Sequence, residues 1–167
     1  MPYAPFFEQF PEIAEKETRV LNVLNLPGLP PGEYGLLELY CNESDCDCRR
    51  VIFTVTEAAS GEIKAVIAFG WESSEFYARW LGRNDPDDIR ELQGPALNTM
   101  SRQSNLAPVL LQQVALILKD ERYVERIKRH YAMYKAAVNP RLRRRAAGLK
   151  TATTPQVRAK RKKRKKR

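Results

Sequence analysis

Between residues 34 and 69, apolar and polar positions alternate with a period of two. Beyond residue 72, apolar positions recur every three or four residues. The first pattern predicts half-buried strands and the second predicts amphipathic helices. An initial segment, residues 6–16, mixes aromatics with acids and predicts a short helix, with Pro11 tolerated near its start. Strands are expected at residues 18–25, 34–41, 50–57 and 63–69. In the second of these, Leu37, Leu39 and Cys41 share a face; in the third, Val51, Phe53 and Val55 oppose Ile52, Thr54 and Thr56. The Pro- and Gly-rich stretch 27–32 breaks the chain after the first strand. The short loops 42–49 and 58–62 favour consecutive antiparallel neighbours, a meander.

Helices are expected at residues 72–81, after Asp85-Pro86, at 106–118 and at 121–138. Their starts carry recognisable chemistry: Ser73, Asp85, Asn105 and Asp120 can each cap, and Pro86 suits a first helical position. Gly94-Pro95 ends the second helix. The last helix carries an apolar ridge of Tyr123, Val124, Ile127, Tyr131, Tyr134 and Val138. The expected fold class is therefore α+β: a four-stranded antiparallel meander, C-terminal helices packed on one face, and a disordered basic tail. The folded domain would span 1–139 and the tail 140–167.

Charge sharpens that boundary. Fourteen of the 29 Lys and Arg lie in residues 139–167, which hold no Asp or Glu. Residues 1–138 therefore carry fifteen basic and 20 acidic side chains, a formal −5, although the whole chain is +9. The tail's cations are Arg141, Arg143, Arg144 and Arg145, then the run Lys160, Arg161, Lys162, Lys163, Arg164, Lys165, Lys166 and Arg167, with Lys150 and Arg158 between. Such a segment buries too little apolar surface to offset its ordering entropy. It is expected to bind nucleic acid or another polyanion through phosphates. With about seven phosphates engaged, the log–log salt slope would be about −6. No Phe, Tyr or Trp occurs in it, so it lacks a base-stacking platform and sequence specificity is not expected.

Residues 1–8 show no charged-then-apolar leader, and no apolar run approaches the roughly 20 residues of a membrane span. These features favour a cytoplasmic protein. In a reducing compartment, three cysteines argue for a metal site rather than disulfides. Cys41 ends one expected strand; Cys46 and Cys48 precede the next, with i, i+2 spacing that presents both sulfurs to one side. Three thiolates suit Zn²⁺, which takes four ligands in a tetrahedron. The single histidine, His130, lies on the edge of the last helix's buried face and is the expected fourth ligand. A closed Cys₃His site would be structural, not catalytic. Arg49 and Arg50 would lower the thiolate pKa values, with Glu43, Asp45 and Asp47 opposing them.

Four segments together resemble an uncharacterised family of bacterial proteins. They are Leu-Pro-Pro-Gly-Glu-Tyr-Gly at 29–35, Tyr-Cys…Cys-Asp-Cys-Arg-Arg at 40–50, Gly-Trp-Glu-Ser at 70–73 and Tyr-Val-Glu-Arg-Ile-Lys-Arg-His-Tyr at 123–131. The resemblance covers most of 6–138, implies a bacterial setting, and brings no activity with it. No Walker A loop, dinucleotide fingerprint or nucleophile elbow occurs, and no catalytic residue is singled out. The leading expectation is a non-enzymatic, zinc-stabilised binding protein whose tail engages nucleic acid. The alternatives are a protein-interaction domain with a solubilising tail, and a thiol redox sensor or thiol-dependent enzyme using Cys46 and Cys48.

Overall fold

The structure, a computed structural model, describes residues 2–139. The expectations for 140–167 lie outside the described residues. The chain is α+β, built on one antiparallel sheet. Strands β2 (Arg19–Val23), β3 (Gly32–Cys41), β4 (Arg50–Glu57) and β5 (Ile63–Gly70) pair antiparallel in succession. Two further strands escaped the sequence reading. β1 (Tyr3–Pro5) pairs with the end of β3, and β6 (Ala96–Leu97) pairs with β5. Three and two residues are too short to display a period, so only tertiary pairing reveals them. β1 and β2 share one edge of β3, lying end to end along it.

The helices are α1 (Phe6–Gln9), α2 (Pro11–Glu17), α3 (Ser74–Leu81), α4 (Pro86–Gln93), α5 (Ala107–Ile117) and α6 (Glu121–Val138). The segment expected as one N-terminal helix is thus two, with Phe10 in a non-helical conformation between them. Ser73, Asp85 and Asp120 cap α3, α4 and α6 as their side chains predict. Asn105 does not cap α5; the Ser104 hydroxyl accepts from the Leu106 N–H instead. Gly94 ends α4 with φ of 61°, where any Cβ would press on the Ala68 carbonyl of β5.

One face of the sheet carries the main core. Tyr34, Leu36 and Tyr40 of β3, Val51, Phe53 and Val55 of β4, and Ala65 and Ile67 of β5 meet Phe6, Leu110, Val114, Tyr123, Ile127 and Tyr134 from the helices. The core face of β3 is the alternation of Tyr34, Leu36, Glu38 and Tyr40, not the one that carries Leu37 and Leu39. Leu37 and Leu39 are only partly buried, and Leu39 joins a small second cluster with Ile52, Val66 and Ala68. The core-facing set of β3 therefore includes Glu38. Tyr77, not Trp80, is the buried aromatic of α3. Along β5, the Gln103 amide accepts from the Val66 N–H at 2.9 Å and donates to the Val66 carbonyl at 3.0 Å, completing backbone pairing with a side chain.

Phe53 lies fully buried at the centre of this face, whereas Leu24 is 87% exposed. Phe53→Ala is expected to cost about 3–5 kcal/mol in chemical denaturation. Leu24→Ala should change stability by no more than about 0.5 kcal/mol; equal effects would contradict this core.

Candidate metal centre

The loop between β3 and β4 gathers the three cysteines. Cys41 closes β3 opposite Tyr3 of β1, and the Asn42 N–H donates to the Pro2 carbonyl at 2.7 Å. The chain then turns, with the Cys46 N–H donating to the Glu43 carbonyl at 3.3 Å. Cys48 leads into Arg49, whose φ of 47° is a conformation few residues other than glycine adopt. Two phenols hold this kink: the Arg49 N–H donates to the Tyr131 hydroxyl at 3.3 Å, and Tyr77 donates to the Arg49 carbonyl at 2.9 Å. The three sulfurs consequently lie within 4.8 Å of one another, as free thiols.

That spacing fits a tetrahedral thiolate site, in which bonds of about 2.3 Å place sulfurs about 3.8 Å apart. Small movements of the side chains close the difference. Cys41 and Cys48 are buried and Cys46 is half-buried, so access to the cluster is from the Cys46 side. Burial pushes all three thiols above their ordinary value. The expected lowering by arginines is not realised. The Arg49 guanidinium is paired with Asp47 and Glu72 and lies over the Phe76 ring, and Arg50 donates to the Glu91 carbonyl. A bound metal would therefore have to displace protons from buried thiols, which makes uptake favour higher pH. The Tyr3 hydroxyl, kept protonated by burial, donates to the Cys48 sulfur at 3.8 Å.

His130 does not complete the site. Its Nδ1 is 2.7 Å from Glu38 Oε2 and its Nε2 is 2.9 Å from Glu17 Oε2, so both nitrogens are engaged by carboxylates. The ring stacks on Phe6 with centroids 4.3 Å apart. The Tyr40 hydroxyl lies 2.7 Å from the same Glu38 oxygen and 3.0 Å from the Ile127 carbonyl. This buried cluster joins α2, β3 and α6. Arg129 pairs with Glu17 from outside, and Arg126 approaches it at 3.7 Å. The helical period located His130 on the buried face of α6, but its partners depend on the parity of β3. The signal was available: Glu38 alternates with Leu36 and Tyr40.

Besides Tyr131, the helix's last turn ties the cysteine loop to α6. Lys135 Nζ donates to the Glu43 carbonyl at 2.5 Å and reaches the Cys41 carbonyl at 3.5 Å, and Asn139 Nδ2 donates to the Ser44 carbonyl at 2.8 Å. Neither residue was singled out by sequence reasoning, since neither is a metal ligand. Arg141, Arg143, Arg144, Arg145 and Lys160 to Arg167 lie outside the described residues. No family model, curated protein or solved structure matches the chain. Among the described residues, no helix is long and apolar enough to cross a membrane.

Two outcomes follow from His130's placement. His130→Gln should lower thermal stability while leaving metal uptake unchanged; loss of metal in a folded variant would return His130 to the ligand set. Burial pushes the Glu17 carboxyl up, but the His130 hydrogen bond and the Arg129 and Arg126 charges outweigh it and hold the group below its usual 4.5. A depressed folded-state value stabilises above the unfolded pKa, and that contribution is lost as pH falls through the folded value. Melting curves should therefore lose stability below about pH 4.5, and Glu17→Gln should flatten that acid limb while lowering stability at neutral pH.

Proposed function

We propose that the chain is a non-enzymatic, zinc-stabilised binding protein whose basic tail engages nucleic acid without sequence specificity. The observation that carries the zinc half is the cluster of Cys41, Cys46 and Cys48 sulfurs within 4.8 Å. These residues would supply three thiolates, a donor set suited to zinc and other thiophilic cations. With His130 held by Glu38 and Glu17, the argument from a closed four-ligand site no longer applies. Support for a structural role is now positional. The loop meets the N-terminal strand at Pro2 and Tyr3, and α6 at Lys135 and Asn139, so a metal there would lock three parts of the chain together. When bound, the metal would supply cross-linking in place of a disulfide.

The nucleic-acid half rests on charge: fourteen cations and no acid in residues 139–167. The chain's acidic remainder gives the two ends opposite electrostatic character, which suits a tail that reaches for phosphate while the body stays clear of it.

Elemental analysis of the full chain, purified without a histidine tag, is expected to find near one zinc per chain. Cys46→Ser should reduce that content and lower the melting temperature. A metal-free chain that reversibly loses two thiols under mild oxidant would favour the redox reading instead. Fluorescence titration with duplex DNA should give a steep salt dependence, with a log–log slope of about −6. Removing residues 140–167 should abolish it. Undiminished binding after the deletion would place the nucleic-acid surface elsewhere.

A further inference from the structure

Lys135 poses a problem that the hydrogen bonds alone do not solve. It lies in the last turn of α6 and is only 7% exposed. Its ammonium reaches two carbonyls, Cys41 and Glu43. Among the described residues, no carboxylate lies within 4.0 Å of it to form an ion pair, although the adjoining loop contains Glu43, Asp45 and Asp47. Asp47 is engaged by Arg49, and Glu43 offers Lys135 its carbonyl rather than its carboxylate. A buried cation without a counter-charge is costly. The C-terminal end of a helix dipole offsets only a small part of that cost. A source of negative charge lies next to it, since the residue whose carbonyl Lys135 reaches at 3.5 Å, Cys41, is one of the three clustered cysteines.

We propose that Lys135 is the counter-charge of a metal–trithiolate centre formed by Cys41, Cys46 and Cys48. A divalent cation with three thiolates carries one net negative charge, and the Lys135 ammonium brings the buried unit to neutrality. Without the metal, the ammonium has only the two carbonyls as partners. Metal uptake thus supplies the buried ammonium with a counter-charge. Lys135 is a positioning and electrostatic residue, not a ligand. This inference rests on the zinc reading above.

The test is zinc affinity of the full chain at fixed pH, measured by competition with a chromogenic chelator, for Lys135→Arg, Lys135→Gln and Lys135→Met. The arginine variant should stay within a few-fold of the parent. The glutamine and methionine variants should each lose about 10–100-fold in affinity, the range expected for an outer-shell partner. Glutamine keeps a donor but not the charge, so a glutamine variant with parental affinity would overturn the charge role. It also keeps the test decisive should the methionine variant fail to fold. The melting temperature of the metal-free chains separates charge from packing. Lys135→Gln should raise it or leave it unchanged, whereas a purely structural lysine would show a fall there equal to that in the zinc-loaded chain, and such a fall would overturn the proposal. If the parent chain takes up no zinc, the metal reading fails and this inference fails with it. If the parent binds zinc and all three variants match it, only the role of Lys135 is lost.

Discussion

The contact of α6 with β3 is the constraint that the remaining structure accommodates. An eighteen-residue helix brings both apolar and polar side chains against one strand. Near its middle, His130 meets Glu38 in the interior, while Ile127 and Tyr134 pack beside it in the core. Near its end, Lys135 meets the carbonyls at the end of the same strand. Each buried polar group demands a partner in hydrogen-bonding position, because leaving one unmade costs about 1–3 kcal/mol. Apolar packing alone would tolerate sliding of the helix by part of a turn. These polar pairs do not, and they fix the helix against β3 at two separated points.

The same contact explains how the two ends of the described chain come together. Glu17 is drawn to His130 from the end of α2, so the N-terminal helices lie against α6. From there β1 runs back along β3, delivering Tyr3 to Cys48 and Pro2 to Asn42. Arg49 occupies the opposite flank, clasped by phenols from α3 and α6. Its left-handed backbone costs of order 1–3 kcal/mol, and the surrounding hydrogen bonds hold it in place. That turn aims Cys48 back toward Cys41 rather than along β4.

Much of this was legible in the amino-acid pattern, and the failures have specific causes. β4 and β5 were readable because Val51, Phe53 and Val55, and Ala65 and Ile67, follow the period of two into the core. α4 and α6 were readable because Asp85 and Asp120 cap them. β3 misled because both of its faces carry apolar residues, so alternation gave no unique parity. With the inner face unassigned, Glu38 stayed hidden, and with it the partner that engages His130 away from the cysteines. The cysteine cluster itself was anticipated because strand–turn–strand spacing is a local property. Lys135 and Asn139 were not, since no local pattern distinguishes a helix-end lysine in solvent from one folded over a loop. Their role depends on which loop the end of α6 happens to meet.

The bonds that shape the cysteine loop span nearly the whole described chain. Asn42 is fastened to Pro2 and Ser44 to Asn139, the second across 95 positions. Contacts of such separation form late, after the intervening chain has already lost its freedom. The loop is therefore the keystone in order of assembly as well as in position. A nascent chain can build the β4–β5 hairpin before its C-terminal helix exists, but the Lys135 and Asn139 bonds to this loop wait until α6 has emerged and docked. A cation held by the three cysteines would be braced from the α6 side only once that docking is complete.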